Sequence, residues 1–187
     1  MIRMLFVRHG ATAGNLQKRY IGRTDELLCP EGIAQIEQLS MARSWDVNQV
    51  FVSPMLRTRQ TAQLLFADIP QQIVEDFREI DFGLFEGKTA RELACNTQYQ
   101  QWVDSMCLGP IPEGETPSAF KQRCCTAFLK LLPSIADDTT VAFVVHGGVI
   151  MSILEQFALP KRNFYEYHLP NGSFYEAAFQ QGCLLLN

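Results

Sequence analysis

Two of the chain's three histidines occur in the same local pattern. His9 follows the apolar run of residues 2–7 and Arg8, and His146 follows the apolar run of residues 140–145. Each run is typical of a buried strand, and each histidine is followed by glycine. Because ligands bind at the carboxyl ends of parallel strands, both imidazoles should reach one crevice. Either histidine alone would indicate a core or loop position, but the pair with a flanking arginine predicts a catalytic site.

The residues around this crevice favour an anionic ligand. Gly147 and Gly148 follow the second histidine, and their small size would let backbone amides approach an anion. Arg57 lies in the first turn of the helix predicted after a strand at residues 49–52, at the same edge of the sheet. A guanidinium group binds phosphate oxygens in a planar fork. Arg59, on the same helix, is predicted to face solvent.

A glycine-punctuated loop at residues 77–87 could supply an acid. Glu79, Asp81 and Glu86 all lie in it. A carboxyl group beside a bound phosphate is pushed toward its protonated form by the like charge, and a protonated carboxyl group can donate to a leaving oxygen. Spacing alone leaves the choice among the three acids open.

The elements that would position these residues alternate between strand and helix. Strands are predicted at residues 2–7, 49–52, 72–75 and 140–145, and helices at residues 30–43, 55–67, 89–102, 117–132 and 148–157. Ser53 and Pro54 suit the N-cap and first position of the second helix. Residues 164–186 are predicted to form edge strands joined by turns. The alternation predicts an α/β three-layer sandwich, with a mostly parallel sheet covered by helices on both faces.

Length and composition limit the classes of function. A chain of 187 residues, 47% of them hydrophobic, predicts a single domain over residues 1–187, with a small cap segment at about residues 89–116. The net charge of -4 and the lack of a basic stripe argue against nucleic-acid binding. The N-terminal apolar run is too short for a signal peptide or membrane span, so a cytoplasmic location is expected. The six cysteines lack C-x-x-C spacing, so reduced thiols are expected and a zinc site is not.

Four ordered segments resemble the motifs of the histidine phosphatase superfamily, also called phosphoglycerate mutase-like. Residues 5–12 (Leu-Phe-Val-Arg-His-Gly-Ala-Thr), with Asn15 after them, resemble its opening motif. Residues 53–58, residues 79–87 and residues 145–148 are similar to its later motifs in the same order. The resemblance extends from residue 4 to about residue 152 and implies a phosphoglycerate mutase-like fold.

The resemblance also implies roles for individual residues. His9 would be the nucleophile that becomes a phosphohistidine, and Glu79 would be the acid. The groups that would hold the phosphoryl oxygens or line the pocket are Arg8, Arg57, His146, Asn15 and the backbone of Gly147. Asp81 and Glu86 then become structural carboxylates that accept hydrogen bonds from nearby backbone. Arg23 would reach the substrate, although a solvated loop position fits it equally well.

The expected reaction is hydrolysis of a small phosphate monoester without a metal or other cofactor. No Lys or Arg occurs between Arg91 and Lys121, so the cap should repel a second anion, and this disfavours the alternative of a cofactor-dependent phosphoglycerate mutase. Among members of the superfamily, the short cap resembles those of the α-ribazole phosphatases and broad-specificity phosphatases. The alternative of another class is a protein that binds a phosphate ester without turnover. Such a protein would normally have lost the nucleophile or the acid, and this sequence retains His9, Glu79 and His146.

Three points stay open at the level of sequence. Tyr99 and Trp102 could stack on a base-like ring, but core positions are favoured for both. His168 could assist the reaction, although a position on an edge strand is favoured. The choice between a monomer and a homodimer is not determined.

Overall fold

The computed structural model describes residues 1–186 and places one seven-stranded sheet at their centre. The strands are β1 (Ile2–Arg8), β2 (Gln49–Val52), β3 (Gln71–Ile73), β4 (Thr140–Val145), β5 (Ala158–Leu159), β6 (Phe174–Gln180) and β7 (Cys183–Leu186). Their spatial order is β3-β2-β4-β1-β6-β7-β5. All pairs are parallel except the two that β6 forms, with β1 and with β7. The predicted fold class is confirmed.

Helices cover both faces of the sheet. They are α1 (Ala13–Leu16), α2 (Pro30–Ala42), α3 (Leu56–Leu65), α4 (Thr97–Asp104), α5 (Pro117–Leu131) and α6 (Gly147–Phe157). Alternate side chains of β1 pack to opposite sides, since successive strand residues point to opposite faces. Met4 and Phe6 join the core under α5 and α6, whereas Leu5 and Val7 join the core under α3. The result is a three-layer α/β/α arrangement.

The register of the parallel strands brings the two histidines to the same edge of the sheet. Arg8 of β1 pairs with Val145 of β4 in the parallel ladder, and the amide of His9 donates to the Val145 carbonyl at 3.1 Å. His9 and His146 therefore leave neighbouring strands at the same level. β2 lies on the other side of β4, and the amide of Ser53 donates to the carbonyl of Val144 at 3.2 Å. Three strand ends thus converge on one edge.

Several predicted elements are corrected. The helix expected at residues 89–102 forms only from Thr97 to Asp104, because the Asn96 side chain accepts from the Tyr99 amide and caps a helix that begins there. The third strand ends at Ile73 rather than residue 75, since Glu75–Phe77 form a 3-10 turn. The tail does not form edge strands, because β6 lies between β1 and β7, and β5 takes that end of the sheet.

No helix within residues 1–186 combines the length and the apolar character needed to cross a bilayer.

Candidate active site

His9 lies at the end of β1 with its ring fixed by its own loop. The ring is buried, and Nδ1 is 2.7 Å from the carbonyl oxygen of Gly10. A carbonyl oxygen only accepts, so Nδ1 carries the proton in the neutral ring and Nε2 keeps its lone pair. The local structure therefore presents Nε2 as a nucleophile.

The surroundings of His9 keep the ring neutral. Burial lowers its pKa well below 6.5, and the positive charges of Arg57 and Arg8 lower it further, while the hydrogen bond to Gly10 acts in the opposite direction. A protonated imidazole has no lone pair on Nε2, so a depressed pKa maintains the nucleophilic form at neutral pH.

His146 lies beside His9, as the strand register requires. The ring centroids are 5.2 Å apart with an interplanar angle of 67°. His146 Nε2 is 2.7 Å from the Ser53 hydroxyl, and Nδ1 is buried without a partner among residues 1–186. Burial and then Arg57 lower the pKa of this ring well below 6.5. The prediction of Ser53 as the N-cap and Pro54 as the first helical residue is wrong, because α3 begins at Leu56 with Met55 in the N-cap position. Ser53 still follows the register of β2, and its hydroxyl contacts His146.

Two arginines adjoin the histidine pair. Arg57 is 1% exposed and donates from Nη1 to the Thr24 carbonyl and from Nη2 to the Gly22 carbonyl, each at 2.8 Å. Arg8 donates from Nη1 to the Leu169 carbonyl. Burial lowers the pKa of both guanidinium groups, and the Glu79 carboxylate opposes this, so both stay charged.

Three buried nitrogen atoms around His9 have no hydrogen-bond partner within residues 1–186. They are Arg8 Nε, Arg57 Nε and one nitrogen of His146, Nδ1. Buried polar groups are normally hydrogen-bonded, so each such group calls for an explanation. An anion with several acceptor oxygens in front of His9 would provide partners for all three.

Glu79 is held at the wall of the same pocket. Its Oε2 accepts from the Gly148 amide at 3.0 Å, and its Oε1 accepts from the Ile80 amide at 3.0 Å. The other acids of the loop serve the backbone, as expected. Asp81 accepts from the Gly83 amide at 2.8 Å, and Glu86 accepts from the amides of Gly22, Thr24 and Phe82.

A cavity of about 400 Å³ adjoins this cluster: Arg8 and Glu79 line it, whereas His9, Arg57 and His146 are buried and do not line it. Its polar wall includes Arg8, Asn15, Glu79, Gly147 and Gly148, and the rest of its lining is largely aromatic and apolar. The apolar and aromatic lining residues are Tyr20, Ile21, Ile80, Phe82, Trp102, Leu108, Pro117, Phe120, Met151, Phe164 and Tyr165. The arrangement places a polar wall, which Arg8 and Glu79 help to form, in an otherwise largely apolar cavity.

A comparison with protein families decides the class of this pocket. The model of the histidine phosphatase superfamily (branch 1) matches residues 4–186. The chain belongs to the histidine phosphatase superfamily. The match covers almost the whole chain and extends beyond the four motifs noted in the sequence.

Individual histidine phosphatases resemble the chain at modest identity. The adenosylcobalamin/α-ribazole phosphatase of Salmonella typhimurium is 27% identical over 187 residues, covering 97% of this chain and 88% of the relative. A probable phosphoglycerate mutase GpmB of Proteus mirabilis is 28% identical over 196 residues, covering 100% and 89%. The crystal structure of a putative α-ribazole-5'-P phosphatase from Escherichia coli superposes with a TM-score of 0.87 at 26% identity, covering 100% of this chain and 94% of that one.

Asn15 lines the pocket, and its side chain is bonded to Asn171, a residue that the sequence did not indicate. Asn15 Oδ1 accepts from the Thr12 amide at 3.1 Å and from Asn171 Nδ2 at 3.2 Å. Asn171 Nδ2 also lies 3.2 Å from the His9 carbonyl, and the Gly172 amide donates to that carbonyl at 3.0 Å. The Asn-Gly pair was predictable as a turn, but its contact with the nucleophile depends on β6 lying beside β1.

Two cations at the cavity wall were also missed. Arg19 and Lys121 both line the cavity. They lie outside the stretch between Arg91 and Lys121 that contains no Lys or Arg. Each is already paired with a carboxylate: Arg19 with Glu92 at 2.9 Å, and Lys121 with Glu155 at 2.6 Å. Neither is a free cation for a second anion.

The positions of His168 and Arg23 differ from those predicted for an edge-strand residue and a substrate-binding residue. The position favoured for His168, an edge strand, is wrong: it follows a 3-10 turn at Phe164–Tyr167, lines the cavity, and places Nε2 3.4 Å from Arg8 Nη1. Arg23 is not brought to the cavity. Its side chain is 64% exposed, pairs with Asp81 at 3.3 Å and lines a separate charged cleft.

The two cap aromatics have different positions. Tyr99 is buried in the cap core, where its hydroxyl is 2.8 Å from that of Tyr20, so the core interpretation holds for it. Trp102 packs in the same core, with Phe85 at 5.5 Å between ring centroids, and also reaches the cavity wall. Of these two cap aromatics, Trp102 is therefore the one available to contact a ring in the cavity.

Proposed function

We propose that this histidine phosphatase hydrolyses a small phosphate monoester through a phosphohistidine on His9. In the first step Nε2 of His9 attacks phosphorus, the P–O bond to the leaving group breaks, and Glu79 gives its proton to the departing oxygen. In the second step water attacks the phosphohistidine, the P–N bond breaks, and Glu79 takes the proton of that water. The observation that carries the proposal is the His9 ring, whose Nδ1 is bound to Gly10 while Nε2 stays unprotonated.

The surrounding donors suit the charge that this reaction develops. A transferred phosphoryl group spreads negative charge over its equatorial oxygens, so catalysis depends chiefly on positioning and electrostatic stabilisation. Arg8 Nε, Arg57 Nε and the Nδ1 of His146 are buried donors without other partners in residues 1–186. Two guanidinium charges, those of Arg8 and Arg57, offset the charge of the anion.

The cavity favours hydrolysis over a mutase reaction. A mutase must bind a second anionic group of a small substrate, whereas Arg19 and Lys121 are already occupied by Glu92 and Glu155. The lining of the cavity is mostly apolar and aromatic. A leaving group that carries a flat, apolar ring, such as the nucleoside of α-ribazole 5'-phosphate with its base, would bury that ring against Trp102 and its neighbours. Mutase activity is the second candidate, because a relative named as a probable phosphoglycerate mutase is equally similar.

The test compares the wild-type chain with His9→Ala on a panel of phosphate monoesters. The panel contains 4-nitrophenyl phosphate, nucleotides, α-ribazole 5'-phosphate and 3-phosphoglycerate. We expect hydrolysis that survives chelators, an acid-labile phosphoryl label on wild-type protein during turnover, and neither in His9→Ala.

Three outcomes would contradict this proposal. A fully active His9→Ala protein would exclude the covalent step. Interconversion of phosphoglycerates that is faster than ester hydrolysis would favour the mutase. Tight binding of phosphate esters without turnover would favour a binding protein.

A further inference from the structure

The guanidinium group of Arg123, on α5, is fully committed to the loop that carries Glu79 and to one carboxylate. Its Nε and Nη2 donate to the two oxygens of Glu115 at 2.7 and 2.8 Å, a bidentate pair. Its Nη1 donates to the carbonyls of Asp76 and Arg78 at 2.7 and 2.9 Å, and Nη2 donates to the carbonyl of Glu79 at 3.2 Å. All five N–H groups therefore have acceptors.

The loop depends on these donors because it has no sheet partner there. β3 ends at Ile73, and the chain then passes through a 3-10 turn to Glu79. Carbonyl groups that leave regular structure need donors from elsewhere. A lysine has three donors at one point and could not serve a carboxylate and three carbonyls at once.

Glu115 keeps Arg123 in place. The two side chains are only 25% and 19% exposed, and the Arg123 guanidinium also lies over the Phe120 ring at 4.9 Å. The Glu115 amide donates to the Asp81 carbonyl at 3.0 Å, so the end of the cap is fastened to the same loop. The pair is therefore a partly buried clamp between α5, the cap and the loop.

The clamp and α6 hold opposite ends of Glu79. Arg123 fixes the backbone carbonyl of Glu79, while the Gly148 amide at the start of α6 fixes the carboxylate. The two attachments together set the position of the carboxylate relative to His9. If the backbone attachment is lost, the loop can shift and the carboxylate is no longer held where a leaving oxygen would lie.

We infer that Arg123, held by Glu115, is the positioning residue for the acid/base step of Glu79. The inference rests on the proposed function, since it assigns a cause to the placement of the proposed acid. All five N–H groups of Arg123 already have acceptors within residues 1–186, and one of those acceptors is the Glu79 carbonyl, so Arg123 acts through Glu79 and not on the substrate.

The test uses the dependence on the leaving group. Phenyl phosphate needs a proton on its leaving oxygen, whereas 2,4-dinitrophenyl phosphate releases a stable phenolate, and kcat/KM for both reports formation of the phosphohistidine. We expect Arg123→Gln, Arg123→Lys and Glu115→Gln to lower kcat/KM for phenyl phosphate about 10-fold or more and that for the dinitrophenyl ester less than about 3-fold. Glu115→Gln retains the shape of the clamp and covers the case in which the Arg123 variants fold poorly.

The matched control is Arg78→Gln on the same loop. The Arg78 side chain is 56% exposed and within residues 1–186 pairs only with Glu75, so this variant removes an arginine charge and keeps the backbone carbonyl that Arg123 contacts. Its ratio of the two kcat/KM values should equal that of the wild type. Equal losses on both esters in the clamp variants would show a purely structural role and overturn the inference. Absence of His9-dependent hydrolysis in the wild type would instead overturn the proposed function, and the catalytic role of the clamp with it.

Discussion

Ser53 determines which nitrogen of His146 can face an anion. Phosphate oxygens of a bound dianion only accept, so His146 must present an N–H group from Nδ1. In a neutral ring this requires Nε2 to be unprotonated, and the Ser53 hydroxyl at 2.7 Å can then donate to it. The Met55 amide approaches the same hydroxyl oxygen at 3.5 Å, which is consistent with an oxygen that accepts there and donates to the ring.

Replacing Ser53 by alanine should therefore lower activity without unfolding the chain. We expect Ser53→Ala to reduce kcat/KM about 10-fold, the equivalent of one neutral hydrogen bond. The kinetic assay should be paired with nitrogen NMR of the His146 ring, in which the fraction protonated at Nδ1 should fall. Ser134→Ala, which removes a hydroxyl bonded to the Leu131 carbonyl far from the site, is the control. Unchanged kcat/KM in Ser53→Ala would refute the tautomer argument.

Ser53 also shows why some site residues could not be predicted from the sequence. The histidines, Arg8 and Arg57 could be found because a strand end followed by a polar residue is a local pattern. Ser-Pro before a helical segment is also a local pattern, and it predicted a cap. The hydroxyl instead contacts a ring 93 positions later, and only the pairing of β2 with β4 creates that contact.

At the level of elements, the start of α6 brings backbone and carboxylate together. The Gly148 amide donates to Glu79, and a Cβ at position 148 would overlap Oε1 of Glu79 and lie 3.0 Å from the Phe120 ring. In the sequence, the two glycines predict that an anion can approach the backbone at this point. The structure shows that the anion next to Gly148 is the carboxylate of Glu79.

Gly148→Ala should consequently displace the acid. We expect kcat/KM for phenyl phosphate to fall about 10- to 100-fold, up to the lower end of the roughly 10²- to 10⁴-fold that a positioned acid contributes, because the carboxylate is displaced but not removed. Gly147→Ala is the comparison, because its Cβ would approach only the Arg8 guanidinium, no closer than 3.3 Å, and a smaller loss should result. Melting temperatures of both variants would separate misfolding from displacement of the carboxylate. An unimpaired Gly148→Ala enzyme would mean that the carboxylate position is not critical.

Elements with a clear hydrophobic period were predictable, and the cap was not. β1, β2, β4 and α5 lie within one or two residues of the predicted bounds, since their apolar side chains face two large cores. Residues 89–96 contain good helix formers but form turns up to Asn96. Where the helix begins there depends on the Asn96 side chain, which caps it, and on packing of the cap core. Neither can be predicted from composition.

At the scale of the whole molecule, the fold buries two imidazoles beside two guanidinium groups in a chain of net charge -4. The sheet makes this arrangement possible by bringing three strand ends to one edge. The burial carries a pH-dependent cost, because histidines that cannot take up a proton in the folded state can do so in the unfolded state.

Stability should therefore fall as the pH drops below 6.5. Burial, followed by Arg57, lowers the folded-state pKa of His9 and of His146 well below 6.5, while the unfolded pKa stays near 6.5. Below that pH the unfolded chain binds up to two more protons than the folded chain. The free energy of unfolding should then decrease by up to about 2.7 kcal/mol per pH unit, about 1.36 for each histidine.

Urea unfolding of the wild type and of histidine variants between pH 7.5 and pH 5 would measure this slope. His9→Gln and His146→Gln should each remove about half of it. His168→Gln should change it less, because His168 is only partly buried, although burial and Arg8 lower its pKa in the same direction. Equal slopes in all four proteins would mean that His9 and His146 take up protons in the folded state. In that case the neutral nucleophile, on which the proposed reaction depends, would not be maintained at mildly acidic pH.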